Sequence, residues 1–159
     1  MKKTMNTRRS FIHGAAGAIA AGAPALGQQS GRVRGFDHVA VPMQNTAAMV
    51  AFYKSLGWDV VDNGTAFSVY CGDNMINFHK PERWPDPKFT NRAPAARPPC
   101  GDFCFVWEGS QASLKAMLDK ANAKIIEGPG PRRGGRRKMG SSTYVRDPDG
   151  NLLEFMLYS

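Results

Sequence analysis

The sequence predicts an α+β fold built from two successive β-α-β-β-β halves. Three observations carry that prediction. Short runs with period-two alternation surround one helical stretch in each half. The order of these runs repeats along the chain. A stretch carrying Pro81, Pro85, Pro87, Pro94, Pro98 and Pro99 separates the halves and excludes regular structure there.

In the first half, Phe36-Asp37-His38-Val39-Ala40-Val41-Pro42 reads as a strand stopped by proline. Asn45 or Thr46 can cap a helix whose apolar positions are Met49, Val50, Phe52, Tyr53 and Leu56, ending at Gly57. Trp58 to Asp62 and Thr65 to Cys71 are strands joined by Asn63-Gly64, and Met75 to His79 follows the turn Gly72-Asp73-Asn74. In the second half, Asp102 to Trp107 is a strand, and Ser110 caps a helix carrying Leu114, Met117 and Leu118. Lys124 to Glu127 is a strand. A basic, glycine-rich loop is expected from Pro131 to Gly140, then a strand from Ser141 to Arg146. Pro148 and Asp149-Gly150-Asn151 make a tight turn into the last strand, where Glu154 sits between apolar neighbours.

The 159 residues suit one folded domain, and 42% hydrophobic with 21% charged residues is ordinary for a globular protein. The formal charge of +8 overstates the basicity of that domain. Lys2, Lys3, Arg8 and Arg9 lie in a segment that reads as removable, and five more cationic residues cluster at Arg132, Arg133, Arg136, Arg137 and Lys138. A single local patch does not make a nucleic-acid-binding surface.

Asn6-Thr7-Arg8-Arg9-Ser10-Phe11-Ile12, followed by an Ala/Gly-rich run from Gly14 to Gly27, is similar to a bacterial twin-arginine signal. The run is too short and too weakly apolar for a membrane span, so no stable membrane anchor is expected. Cleavage is expected near Gly27 and Gln28. The resemblance implies transport of the folded protein by the Tat translocase and a periplasmic or secreted location. The expected organisation is a signal peptide at 1–27, a linker at 28–35 and a domain at 36–158. Modules 36–80 and 101–158 are joined by the proline-rich linker 81–100. Of the three cysteines, Cys71 and Cys104 fall in strand patterns and are expected to be buried thiols. No CxxC pair appears, which argues against thiolate zinc sites.

Alternation places His38 and Ala40 on one face of the first strand, and Met75, Asn77 and His79 on one face of the fourth. On the fifth strand Asp102, Cys104 and Val106 oppose Phe103, Phe105 and Trp107. The bulky faces suit packing under the helices, leaving the polar faces to line a cavity. His13 leaves with the signal, so His38 and His79 are the only histidines of the expected mature chain. Counting along the repeat matches His38 with Asp102 and His79 with Glu154. Two imidazoles and a carboxylate suit Fe, Mn, Zn or Ni as a divalent metal with positions open to substrate. Asp102 is either a fourth ligand or a hydrogen-bond partner of a ligating imidazole.

Phe36-Asp37-His38-Val39-Ala40-Val41, Phe52-Tyr53-Lys54-Ser55-Leu56-Gly57-Trp58, Ile76-Asn77-Phe78-His79 and Asp147-Pro148-Asp149-Gly150-Asn151-Leu152-Leu153-Glu154-Phe155, in that order, resemble the vicinal oxygen chelate superfamily. That group contains glyoxalase I, extradiol dioxygenases and bleomycin-binding proteins. The resemblance implies one curved eight-stranded mixed sheet around a metal cavity, with helices on its outer face. It implies metal ligands at His38, His79, Asp102 and Glu154, although many relatives carry histidine where Asp102 stands. It further implies a small substrate chelated through neighbouring oxygens, with Glu154 available to move a proton, and pairing into a homodimer.

An exported protein lacks the cytosolic thiol that glyoxalase I chemistry uses. The favoured activities are therefore a ring-cleaving dioxygenase, an isomerase or a lyase. The basic loop, with Arg132, Arg133, Arg136, Arg137 and nearby Tyr144, is a candidate anion-binding lid for substrate. The alternative is a non-catalytic small-molecule-binding protein of the bleomycin-resistance kind, with Trp58, Trp84, Trp107 and Tyr144 as candidate groove aromatics.

Overall fold

The computed structural model describes residues 32–159. The signal segment and the export it implies lie outside the described residues. Gly35–Ser159 forms one compact unit. Its elements are β1 (His38–Pro42), α1 (Thr46–Ser55), β2 (Asp59–Asp62), β3 (Ala66–Cys71) and β4 (Asn74–His79) in the first module. The second module has β5 (Asp102–Val106), α2 (Gln111–Lys120), β6 (Ile125–Arg133), β7 (Met139–Arg146) and β8 (Leu152–Leu157). Among the described residues no helix is long and apolar enough to cross a membrane.

The strands form two four-stranded mixed sheets with matching topology, β1-β4-β3-β2 and β5-β8-β7-β6. In each, the first strand pairs in parallel with the last, and the remaining pairs are antiparallel. Local chemistry explains the turns. Gly57, Gly64 and Gly72 adopt φ of 84°, 80° and 58°, a region open to glycine without steric cost. Ser110 caps α2 by accepting from the Ser113 amide at 3.1 Å. Asn45 does not cap α1 with its side chain; its Nδ2 instead donates to Asp149 at 2.7 Å.

One apolar core serves both modules. Phe67, Phe78 and Tyr53 from the first are fully buried, as are Leu114, Leu118 and Leu153 from the second. Trp58 crosses between the modules, with its ring 4.6 Å from that of Phe105. Core packing is thus the role of Trp58. The loop before β8 adds a polar clamp. Buried Asp147 accepts from the Tyr53 hydroxyl at 3.0 Å, and Asp149 accepts from the Gln44 and Asn45 amides at 2.6 and 2.9 Å.

Two expectations are corrected here. Half of the ten-residue basic loop is ladder: Pro131 pairs with Ser141, Arg132 with Gly140 and Arg133 with Met139, leaving a turn at 134–138. Glycine and proline obscured this, but β6 is an edge strand, where both are tolerated. Neither Cys71 nor Cys104 is a core residue: Cys104 lies opposite Glu154 on the face turned away from the core, and Cys71 is the exposed last residue of β3, beyond the buried run that precedes it. Register shifts on either side of Glu127 carry Gly128, at φ 94°, against β7. A Cβ there would stand 2.3 Å from the Ser142 carbonyl oxygen. Gly128→Ala is therefore expected to lower stability by about 2 kcal/mol or more in urea unfolding, combining a left-handed backbone with a backbone clash.

Candidate functional site

The strand registers define which positions of the two modules correspond. His38 lies opposite Met75 in β1–β4, and Asp102 lies opposite Leu152 in β5–β8. His38 and Asp102 are therefore equivalent, as the sequence predicts. Ala40 lies opposite Asn77, and Cys104 lies opposite Glu154. The counterpart of Glu154 is thus Asn77, while His79 corresponds to Met156. This corrects the matching of His79 with Glu154. The triplets Ile76-Asn77-Phe78 and Leu153-Glu154-Phe155 were the signal that would have shown it.

The same registers separate the two histidines. Pro42, not His38, lies beside His79, so the histidines sit about 13 Å apart along the sheet at ~3.3 Å per residue. His38 opens onto a cleft of about 970 Å³, shared with Asp102 and Cys104. His79 lines a smaller cavity beneath the linker, with Trp84 and Arg92. Within one chain His38, His79, Asp102 and Glu154 do not converge. Among the described residues no group of three His, Cys, Asp or Glu side chains is placed to hold a metal ion. The donor chemistry suits a divalent metal, but the single-chain geometry does not.

The large cleft runs between β1 and β5, each an outer strand of its own sheet. Its walls combine aromatic groups (Phe36, Phe103, Phe105 and Trp107) with His38 and Asp102. His38 is half-exposed, and its Nδ1 lies 2.7 Å from Asp37 Oδ1, which orients the ring. Arg136 also reaches this cleft, with its guanidinium 5.0 Å from the centre of the Tyr158 ring.

Glu154 has its own surroundings on β8. It accepts from the Ser142 hydroxyl and lies opposite Tyr144 on β7. Burial, then the charge and hydrogen bond of Glu154, push the Cys104 thiol up to about 12, so it remains a protonated donor rather than a nucleophile. Burial and the hydrogen bond to Glu154 also raise the Tyr144 phenol, although Arg132 opposes them. Arg132 stands 5.8 Å over the Tyr144 ring and pairs with Glu127. Of the candidate substrate residues, Arg132 and Tyr144 are thus brought to Glu154. Arg133 and Arg137 are exposed on the hairpin, outside the residues lining the large cleft. Ser142, Cys104 and Asn77 were absent from the sequence-derived set. In the first module Asn77 accepts from Ser68 at 3.2 Å, so an uncharged amide stands where the second module carries a carboxylate.

Residues 35–155 match the Glyoxalase/Bleomycin resistance protein/Dioxygenase superfamily. The chain belongs to that superfamily. This member is 33% identical over 127 residues to the glyoxalase domain-containing protein RDO1 of Mycosarcoma maydis, covering 79% of this chain and 69% of that protein. It is similar to virulence protein STM3117 of Salmonella typhimurium, whose crystal structure superposes with a TM-score of 0.71 at 28% identity, over 80% of this chain and 99% of the other. An integron cassette protein of V. cholerae gives the same TM-score at 26% identity, with coverage of 82% and 99%. The fold expected from the sequence is therefore that of the glyoxalase superfamily. Proteins of this superfamily often bind divalent metals, act on small molecules and form dimers.

Proposed function

We propose that this protein is an exported enzyme acting on a small oxygenated molecule, as a ring-cleaving dioxygenase, isomerase or lyase, with a divalent metal held between two copies. One observation carries the reading: His38 and Asp102 stand on the two outer strands β1 and β5, Glu154 stands next to β5, and one chain alone does not unite them. An unpaired strand edge is a standing invitation to pair. A two-fold contact between β1 of one copy and β5 of the other would cover both edges in both copies. It would also carry His38 of one copy to the sheet holding Asp102 and Glu154 of the second. Nitrogen and carboxylate donors of this kind suit Fe, Mn, Zn or Ni, which bound there would polarise a chelated oxygen. His79, at the far end of β4, is left out of this donor set. Periplasmic or secreted placement by the Tat translocase rests on the Arg8-Arg9 motif and completes the proposal.

Sedimentation and elemental analysis of protein purified from the periplasm test this reading together. A dimer carrying stoichiometric metal, with the metal lost in His38→Ala, is the expected result. A monomer that retains metal in His38→Ala would overturn the shared centre. The aromatic walls of the cleft support the second reading, a non-catalytic binder. Metal-free protein that takes up an aromatic ligand, and is inactive on catechols and α-hydroxycarbonyl compounds, is the outcome that reading expects.

A further inference from the structure

The proline-rich linker roofs the cavity over the His79 end of the first sheet. The space is about 100 Å³, the liquid volume of roughly three water molecules. Ala40 and Pro42 of β1 and His79 of β4 border it from below; Trp84, Arg92 and Ala96 border it from the linker. These walls are held in place. Trp84 Nε1 donates to the Met43 carbonyl at 2.9 Å. The His79 ring meets Phe89 edge-on at 4.8 Å, and the Arg83 guanidinium lies 4.0 Å over that same Phe89.

Arg92 is the group left unsatisfied. Its Nη1 donates to the Pro94 carbonyl at 3.0 Å and reaches the Ala93 carbonyl at 3.4 Å, which fixes the guanidinium against the linker. Its Nε is buried and has no partner among the described residues. A buried charged donor without an acceptor is costly. The Nε side of a guanidinium is also one of the edges that grips a carboxylate through parallel hydrogen bonds. The surroundings favour negative charge. Among the described residues no acidic group lines the cavity, the Arg83 charge acts on His79, and the Arg97 guanidinium sits 5.3 Å from the Trp84 ring centre. The remaining walls are apolar, formed by Ala40, Pro42, Ala96 and the Trp84 ring.

We propose that this cavity binds a small aliphatic monocarboxylate, of about two to three carbons by volume. Its oxygens meet Arg92 Nε and the His79 imidazole, and its alkyl end packs among Ala40, Pro42 and Trp84. Neither His38 nor Glu154 borders this cavity, so the proposal stands apart from the metal centre.

Propionate, propionamide and chloride titrated into the full chain test it through tryptophan fluorescence. Trp84→Phe separates the signal of the cavity from those of Trp58 and Trp107. The expected result is a saturable response to propionate, none to propionamide or chloride, and about tenfold or greater weakening in Arg92→Gln at unchanged melting temperature. An equal response to the amide, or an Arg92→Gln protein that binds propionate as tightly as the parent, would overturn the proposal. Should Arg92→Gln fail to fold, the imidazole resonances of His79 in the unaltered protein decide. They should shift on adding propionate and not on adding propionamide, and their indifference to both would mean that the cavity holds only water.

Discussion

Asp147→Ala should lower the free energy of unfolding by about 3–5 kcal/mol, measured by urea unfolding at neutral pH. Asp147 is only 5% exposed and collects donors from both modules. Tyr53 Oη donates to Oδ2 at 3.0 Å and Asn151 Nδ2 to the same oxygen at 2.8 Å, while the Asn151 and Asp149 amides reach Oδ1 at 2.9 and 3.1 Å. Alanine would strand several of these donors in a site closed to water. Tyr53→Phe removes one donor and leaves the carboxylate three, so a loss of only about 1 kcal/mol is expected. Equal losses in the two variants would mean that the network is not what holds this loop. The pH dependence has a defined sign. Burial raises the folded Asp147 above its ordinary 3.8, and its hydrogen bonds to Asn151 and Tyr53 only partly oppose that. The folded chain therefore holds this proton more tightly than the unfolded chain. The contribution of Asp147 is fullest below 3.8 and declines as pH rises through the folded value. Asp147→Asn should remove this decline, seen as a flatter stability profile across the mildly acidic range.

Glu154→Gln should reduce turnover by about 100- to 10,000-fold, the range for removing a group that moves a proton. The relevant substrate is the one found by screening catechols and α-hydroxycarbonyl compounds. The neighbours of Glu154 limit the structural disturbance, and metal content measured on the same variant separates loss of proton transfer from loss of a metal donor. Ser142 donates a hydroxyl proton to it, and the Cys104 thiol stays protonated beside it, so a glutamine oxygen can still be held by the same donors. Stability should change little, and the loss should fall on kcat more than on KM. Full activity in Glu154→Gln would remove Glu154 from proton transfer and leave it, at most, a binding role.

The strands, helices and turns were legible because the information for them is local. Ser110 is followed three residues later by the amide it caps, and Gly57, Gly64 and Gly72 stand where the chain needs positive φ. Alternation along β4 correctly put Ile76 and Phe78 on the face that packs under the helices, and both are buried. The hairpin containing Arg132 and Arg133 was harder to see. Its glycines and prolines carry a loop signature, and only its place at the edge of a sheet permits them.

The site divided along the same line. That His38 and Asp102 are matched positions followed from the repeat, and the strand register agrees. That Asn77, and not His79, matches Glu154 depended on how β4 lies against β1, because a shift of two residues keeps the same face and alternation cannot detect it. By itself, the amino-acid order determined the two modules, their elements and the polar faces. Tertiary structure decided the rest. It put His38 and His79 in separate cavities, joined the modules through Tyr53 and Asp147, and left β1 and β5 as outer strands. The physical reason is range: helices and turns are specified by residues a few positions apart. Register, burial and the sharing of donors arise only when segments distant in the chain meet.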